Sequence, residues 1–135
     1  MEVKVRVFDF DGVLTRSPRH NPEIKLPWWV FLGLIFVKPN IKIISFLKDL
    51  DERNIVIVSA RPWQLKRLTE LWLRFHKIPY HNLFCIGLGK DAKKRKLRVI
   101  ERVIKQMKMK VEEVIDDDQP TVEYLKEYGI NARLP

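Results

Sequence analysis

Short β-branched runs alternate with stretches of helical periodicity along the whole 135-residue chain, and that alternation leaves few folds open. The clearest run is Ile55-Val56-Ile57-Val58-Ser59, apolar up to its last residue, as expected of a strand buried on both faces of a parallel sheet. Residues 3 to 10 place valines on a period of two and predict a first strand that ends at the Asp11-Gly12 turn. Residues 83 to 87, 111 to 115 and 130 to 134 predict three more. Between them, Ile41, Ile44, Leu47 and Leu50 mark one helix, with Asn40 as its expected N-cap. Leu65, Leu68, Leu71 or Trp72, and Phe75 mark a second. Val99, Ile100, Val103, Ile104 and Met107 mark a third, behind a basic stretch from Lys90 to Arg98. Val122, Leu125 and Tyr128 mark a fourth, with Pro120 in its first turn and Gly129 at its end. The pattern predicts an α/β fold: a mainly parallel five-stranded sheet with helices on both faces and right-handed crossovers.

The length suits a single domain over residues 1 to 135, and a hydrophobic fraction of 46% is ample for its core. Lys and Arg number 26 against 17 Asp and Glu, a net charge of +9 that favours polyanionic partners. The single cysteine, Cys85, excludes an internal disulfide and fits a reducing compartment. The N-terminus alternates charge with valine instead of presenting an apolar signal segment, so a cytoplasmic location is expected. Residues 26 to 37, LPWWVFLGLIFV, carry no polar side chain. They are too few to span a bilayer, which takes about 20 residues as a helix. Residues 28 to 37 are expected to cover the core and to support self-association as a homodimer, with docking on a membrane surface as the alternative.

In an open α/β sheet, ligands bind beyond the carboxyl ends of the strands, so the polar residues there are the ones to inspect. The first strand delivers Asp9 and Asp11, the second Ser59, the fourth Asp116 and Asp117. Carboxylates two apart on an extended backbone project to the same side and can share a pocket. So many like charges call for a cation, and an all-oxygen ligand set selects a hard ion such as Mg²⁺. Such an ion suits a phosphorylated substrate. Ser59, the backbone N–H groups that follow it in Ala60 and Arg61, and a lysine of the basic helix would hold the remaining phosphate oxygens. A calcium-loop reading of Asp9 to Gly12 fails on spacing, since that loop places its glycine sixth.

These residues resemble the motifs of the haloacid dehalogenase (HAD) superfamily of phosphotransferases. Asp9-Phe10-Asp11-Gly12-Val13-Leu14-Thr15 is similar to the first motif, Ser59 to the second and Ile115-Asp116-Asp117 to the fourth. Lys96 matches the third best, with Lys90, Lys93 and Lys94 as rivals. The resemblance covers nearly the whole chain in the right order. It implies an HAD-like, Rossmannoid sheet with a minimal cap or none, the short stretch from 16 to 39 serving as a flap beside an open site. It also implies that Asp9 attacks phosphorus, forming an aspartyl-phosphate, while Asp11 donates a proton to the leaving oxygen and later takes one from water. Mg²⁺ would be bound by Asp9, the backbone carbonyl of Asp11 and Asp117, with Asp116 in support, and Lys96 would neutralise the transferring phosphoryl group.

A narrower likeness lies in Ser59-Ala60-Arg61-Pro62, then Arg67-Leu68-Thr69-Glu70-Leu71-Trp72-Leu73, then Ile78-Pro79-Tyr80-His81-Asn82-Leu83, which with the late Ile115-Asp116-Asp117 resemble the phosphatase domain of polynucleotide kinase/phosphatases. It implies a substrate with a 3′-phosphate at a nucleic-acid end, bound in part by Ser59, Ala60, Arg61 and Lys93. No Gly-x-x-x-x-Gly-Lys-[Ser/Thr] occurs, so a 5′-kinase motif is missing from these residues. A HAD phosphatase of sugar phosphates or nucleotides is the main alternative, and a non-catalytic nucleic-acid-binding module the second. Trp72, Leu73 and Cys85 are expected in the core, and Asp118 as a helix cap.

Overall fold

The computed structural model describes residues 3–16 and 37–135, in which strands and helices alternate as the sequence pattern requires. Strands β1 (Val3–Phe8), β2 (Ile55–Ser59), β3 (Asn82–Cys85), β4 (Met109–Ile115) and β5 (Ala132–Arg133) form one sheet in the order β3-β2-β1-β4-β5. Every pairing is parallel. Helices α1 (Ile41–Lys48), α2 (Lys66–Phe75), α3 (Ala92–Lys105) and α4 (Gln119–Glu127) supply the covering layers.

The two-residue period of the strands sorts their side chains into two cores. Phe8, Ile55, Ile57, Leu83 and Ile115 face α1 and α2, meeting Ile44, Leu47, Trp72 and Leu73. Val5, Val7, Val56, Val58 and Val114 face α3 and α4, meeting Leu97, Ile100, Val103, Val122 and Leu125. Burial on both sides is why β2 reads as an unbroken apolar run. The chain builds β1, β2 and β3 outward in one direction and then crosses back to place β4 on the other flank of β1. The crevice between the ends of β1 and β4 is therefore the topological switch point of the sheet.

Several element boundaries differ from the sequence pattern, each for a packing reason. β4 starts earlier than expected, because Met109 and Lys110 pair with Val3 and Lys4 although their neighbourhood is charged. Asn40 precedes α1 in extended conformation without a side-chain cap bond; its backbone N–H donates instead to the Leu14 carbonyl at 2.8 Å. In α2 the buried positions are Thr69, Trp72 and Leu73, while Leu71 and Phe75 face outward, Phe75 81% exposed. In α3 Leu97 joins Ile100 and Val103 in the core, and Ile104 is exposed. Asp118 caps α4 as expected, its side chain accepting from the Thr121 N–H, and Gly129 follows the helix at φ +80°.

Thr15 and Pro39 form an isolated antiparallel bridge, flanked by a 2.9 Å bond from the Arg16 N–H to the Lys38 carbonyl. The expected flap over 16–39 and the self-association surface over 28–37 lie mostly outside the described residues. At the edge of that stretch, the Trp72 indole N–H donates to the Val37 carbonyl at 3.1 Å. Among the described residues no helix is long and apolar enough to cross a membrane.

Candidate active site at the sheet switch point

β1 ends at Phe8, and the next residue, Asp9, remains tied to the sheet through its N–H, which donates to the Ile115 carbonyl of β4 at 2.9 Å. This bond holds the ends of the two strands side by side and brings Asp9 to Asp116 and Asp117. After Asp9 the chain winds through a wide turn, Phe10–Leu14, in which Gly12 takes φ +86°. Glycine is required there twice over. The left-handed φ disfavours a side chain, and a Cβ at Gly12 would fall 1.9 Å from the Asp117 Oδ2.

Asp9, Asp116 and Asp117 each offer a carboxylate oxygen within 4.8 Å of the others, so this cluster could bind a metal ion. Asp9 and Asp116 are buried and Asp117 partly so. Burial raises the Asp9 carboxyl well above its ordinary value, and the neighbouring Asp116 and Asp117 add to the rise. Asp117 is raised too, by burial and then by Asp116, although the hydrogen bond it shares with Asp9 works the other way. Carboxylates made reluctant to ionise by burial and by each other are a donor set that a hard divalent cation relieves, and oxygen-only ligands suit Mg²⁺. The residues therefore fit such an ion.

Lys96 reaches the cluster from α3. It is the buried cation of a helix whose other buried side chains are apolar, and its Nζ pairs with Asp9 Oδ1 at 3.3 Å and with Asp116. Burial alone would lower the Lys96 ammonium, but Asp116 and Asp9 together outweigh it and hold it above the ordinary lysine value. Among the four lysines considered from sequence, the fold brings Lys96 to the carboxylates. Lys94 pairs with Asp91 at 3.9 Å, Lys93 lies over the Tyr124 ring, and Lys90 is exposed.

Asp11 points elsewhere. Its carboxylate is held by the Arg61 guanidinium in a bidentate pair, Nε to Oδ2 at 2.8 Å and Nη2 to Oδ1 at 2.9 Å. Arg61 is only 2% exposed, and its remaining contacts fix it: Nη1 donates to Thr69 Oγ1 at 3.2 Å, and its carbon centre sits 4.4 Å from the Phe10 ring centroid. Thr69 in turn donates to the Leu65 carbonyl at 2.9 Å. Ser59 is fully buried at the end of β2, and its Oγ accepts the Arg61 N–H at 3.0 Å. That backbone donor, expected from sequence to be open to a phosphate, is thus already engaged within the chain. Ala60, next to it, is partly exposed.

The structure gathers Asp9, Asp116, Asp117 and Lys96 into one cluster and Asp11, Arg61 and Ser59 into an adjoining network, while Lys93 stands apart on the α3 surface. The Asp11 carboxylate is not among the clustered oxygens. Sequence reasoning did not foresee Phe10 and Thr69 as supports of Arg61. The one signal for Thr69 was a polar residue on the helical stripe of α2, where an apolar one belongs.

An open parallel α/β sheet with a carboxylate–lysine centre at its switch point is the class that fold and site define. No protein-family model and no curated protein matches the sequence. Among solved structures, the chain is similar to a chain of the Pnkp1/Rnl/Hen1 complex, with a TM-score of 0.72 and 20% identity over 99% of this chain. It is similar also to a chain of the Pnkp1/Rnl/Hen1 RNA repair complex, with a TM-score of 0.70 and 20% identity, again over 99% of this chain. It spans less than half of each of those chains, 46% and 42%. At this identity the likeness establishes the fold.

Proposed function

We propose that this chain is a Mg²⁺-dependent phosphatase of the HAD type that removes 3′-phosphates from nucleic-acid ends. The observation that carries the reading is the meeting of Asp9, Asp116, Asp117 and Lys96 at the switch point, with Asp11 two residues from Asp9 in a separate, arginine-held position. Asp9 is taken as the group that attacks and Asp11 as the group that transfers protons. The fold shared with chains of an RNA repair complex and the charge of +9 support a nucleic-acid substrate.

In this reading a carboxylate oxygen of Asp9 attacks phosphorus as the bond from phosphorus to the 3′ oxygen breaks. Asp11 gives its proton to that oxygen. A water then attacks the aspartyl-phosphate, Asp11 takes the water's proton, and phosphate leaves with the Asp9 carboxylate restored. Asp9, Asp116 and Asp117 would hold Mg²⁺, which when bound supplies positive charge for the phosphoryl oxygens. Lys96 adds its own and keeps Asp9 oriented. Arg61 orients Asp11 through both carboxylate oxygens. Asp11 serves as the acid of the first step, so poor leaving groups depend on it most.

The test is phosphate release from a 3′-phosphorylated oligonucleotide and from an aryl phosphate, with and without EDTA. Both activities are expected to require Mg²⁺ and to be lost in Asp9→Asn. Substantial turnover by Asp9→Asn would overturn the assignment. A sugar phosphate or free nucleotide hydrolysed better than the oligonucleotide at every salt concentration would replace the nucleic-acid substrate by a small phosphate ester.

A further inference from the structure

Helices α3 and α4 pack together on one face of the sheet, and they follow the carboxyl ends of β3 and β4. α4 begins at Gln119, directly after the Asp116-Asp117-Asp118 run, and Lys93 lies one turn ahead of Lys96 on α3. Between them is a feature that the proposed chemistry does not use, although Tyr124 itself is half-buried and packs against the core. The rings of Tyr124 and Tyr128 lie against each other, centroids 5.0 Å apart at 55°, and Lys93 Nζ sits 5.5 Å over the Tyr124 ring. Tyr128 is 58% exposed. Arg98, one turn further along α3, is close enough to act on the Tyr124 hydroxyl.

At 1.5 Å per residue Tyr124 lies about 9 Å and Tyr128 about 15 Å along the helix axis from Asp118, so the rings follow one another down α4 from the carboxylate run. Aromatic faces beside cations are what single-stranded nucleic acid uses for sequence-tolerant binding, because every base has a face to stack. Glu127 also acts on Tyr124 and tempers the local positive charge.

We propose that Tyr124 and Tyr128, with Lys93 at their end nearest the site, form the stacking platform for the bases next to a 3′-phosphate seated at Asp9. The proposal rests on the nucleic-acid reading above and narrows it to single strands held through their bases. It makes Tyr124 and Tyr128 binding residues and assigns Lys93 to the strand rather than to the transferring phosphoryl group.

Binding is measured in the Asp9→Asn background, so that it does not depend on turnover, with a 5′-fluorescein single-stranded hexanucleotide bearing a 3′-phosphate. A second probe carries abasic spacers at its two 3′-terminal positions. Tyr128→Ala is expected to weaken binding of the full probe by about 5-fold or more, the low end for one lost base–aromatic stack. Tyr128→Phe, which keeps the face, is expected to bind nearly as the parent does. Abasic spacers are expected to weaken binding to the parent and to Tyr128→Phe, and to do so much less in Tyr128→Ala. Lys93→Gln is expected to make the log–log salt slope shallower by up to about 0.7, one single-strand contact. An equal abasic penalty in the parent and in a double Tyr124→Leu, Tyr128→Ala variant would overturn the platform, whatever the enzyme hydrolyses. The coupling between tyrosine and base in a protein that releases no 3′-phosphate would uphold the platform and overturn the phosphatase.

Discussion

Lys96 and Arg61 are both long, cationic and buried, and each pairs with acid groups at the site, yet their removal should have different consequences. Lys96→Ala takes a charge from the reacting centre. It is expected to lower kcat for an aryl phosphate by a factor on the order of 10²–10³, as for a preorganised donor lost from a transition state. It also leaves Asp9 and Asp116 facing each other, so the Tm of the variant should fall and recover in part on adding Mg²⁺. Arg61→Ala removes a bidentate partner from Asp11, whose side chain keeps 26% of its exposure. Breaking a fully buried pair costs roughly 3–5 kcal/mol, and the partial exposure of Asp11 reduces that to about 2–3. Urea denaturation should show this loss, and Arg61→Lys should show an intermediate one, because lysine keeps the charge without the fork. Asp11→Asn separates leaving groups. Hydrolysis of a 3′-phosphorylated oligonucleotide should fall by about 10²–10⁴-fold, and of an aryl phosphate by much less, since a phenolate needs little help from an acid.

At the scale of elements, the ends of β1 and β4 and the start of α4 form one continuous device. The Asp9 N–H bonds to the Ile115 carbonyl, the Asp118 N–H to Asp116 Oδ1, and the Asp118 side chain to the first turn of α4. Asp118 therefore works for the helix while its neighbours work in the cluster. Asp118→Ala is expected to cost about 1 kcal/mol of unfolding free energy, the usual effect of a lost N-cap, with the metal-dependent activity largely kept. A fall in Mg²⁺ affinity of the same size as that in Asp117→Ala would show instead that Asp118 acts as a ligand.

For the whole molecule, the cluster ties stability to pH and metal. Asp9 and Asp117 both have folded-state values raised above 3.8. A raised group stabilises the fold below its unfolded value and loses that contribution as pH rises through the folded one. Without metal, then, these two carboxyls weaken the fold progressively from above pH 3.8 upward. Lys96 is raised from 10.5, so its contribution is intact throughout that range. A bound divalent cation favours the ionised carboxylates and releases their protons. The Tm increase produced by a fixed Mg²⁺ concentration should accordingly be larger at pH 7.5 than at pH 5, as differential scanning fluorimetry can establish. An increase independent of pH would mean that the ion binds away from Asp9 and Asp117.

The order of strands and helices, their parallel arrangement and the residues that reach the carboxyl edge of the sheet were legible in the sequence. Period-two and period-3.6 hydrophobicity and the position of polar residues at strand ends are local patterns that survive without a partner. Contacts between distant segments were not legible. That Arg61 would turn away from solvent to clamp Asp11, 50 residues earlier, depends on how α2 lies over the turn after β1. Periodicity says which face of α2 is apolar, but it cannot say that Thr69 will be spent on a buried guanidinium, or that Leu71 and Phe75 will face outward. Lys96 could be singled out among its neighbours by its resemblance to a motif, but its role as the buried cation follows from the packing of α3, which seats Leu97 and Ile100 in the core and thereby aims the residue beside them at Asp9 and Asp116. Local propensity and pattern determine which elements form. Which charges meet is decided by the tertiary structure, because only packing removes enough water to force buried charges to find one another.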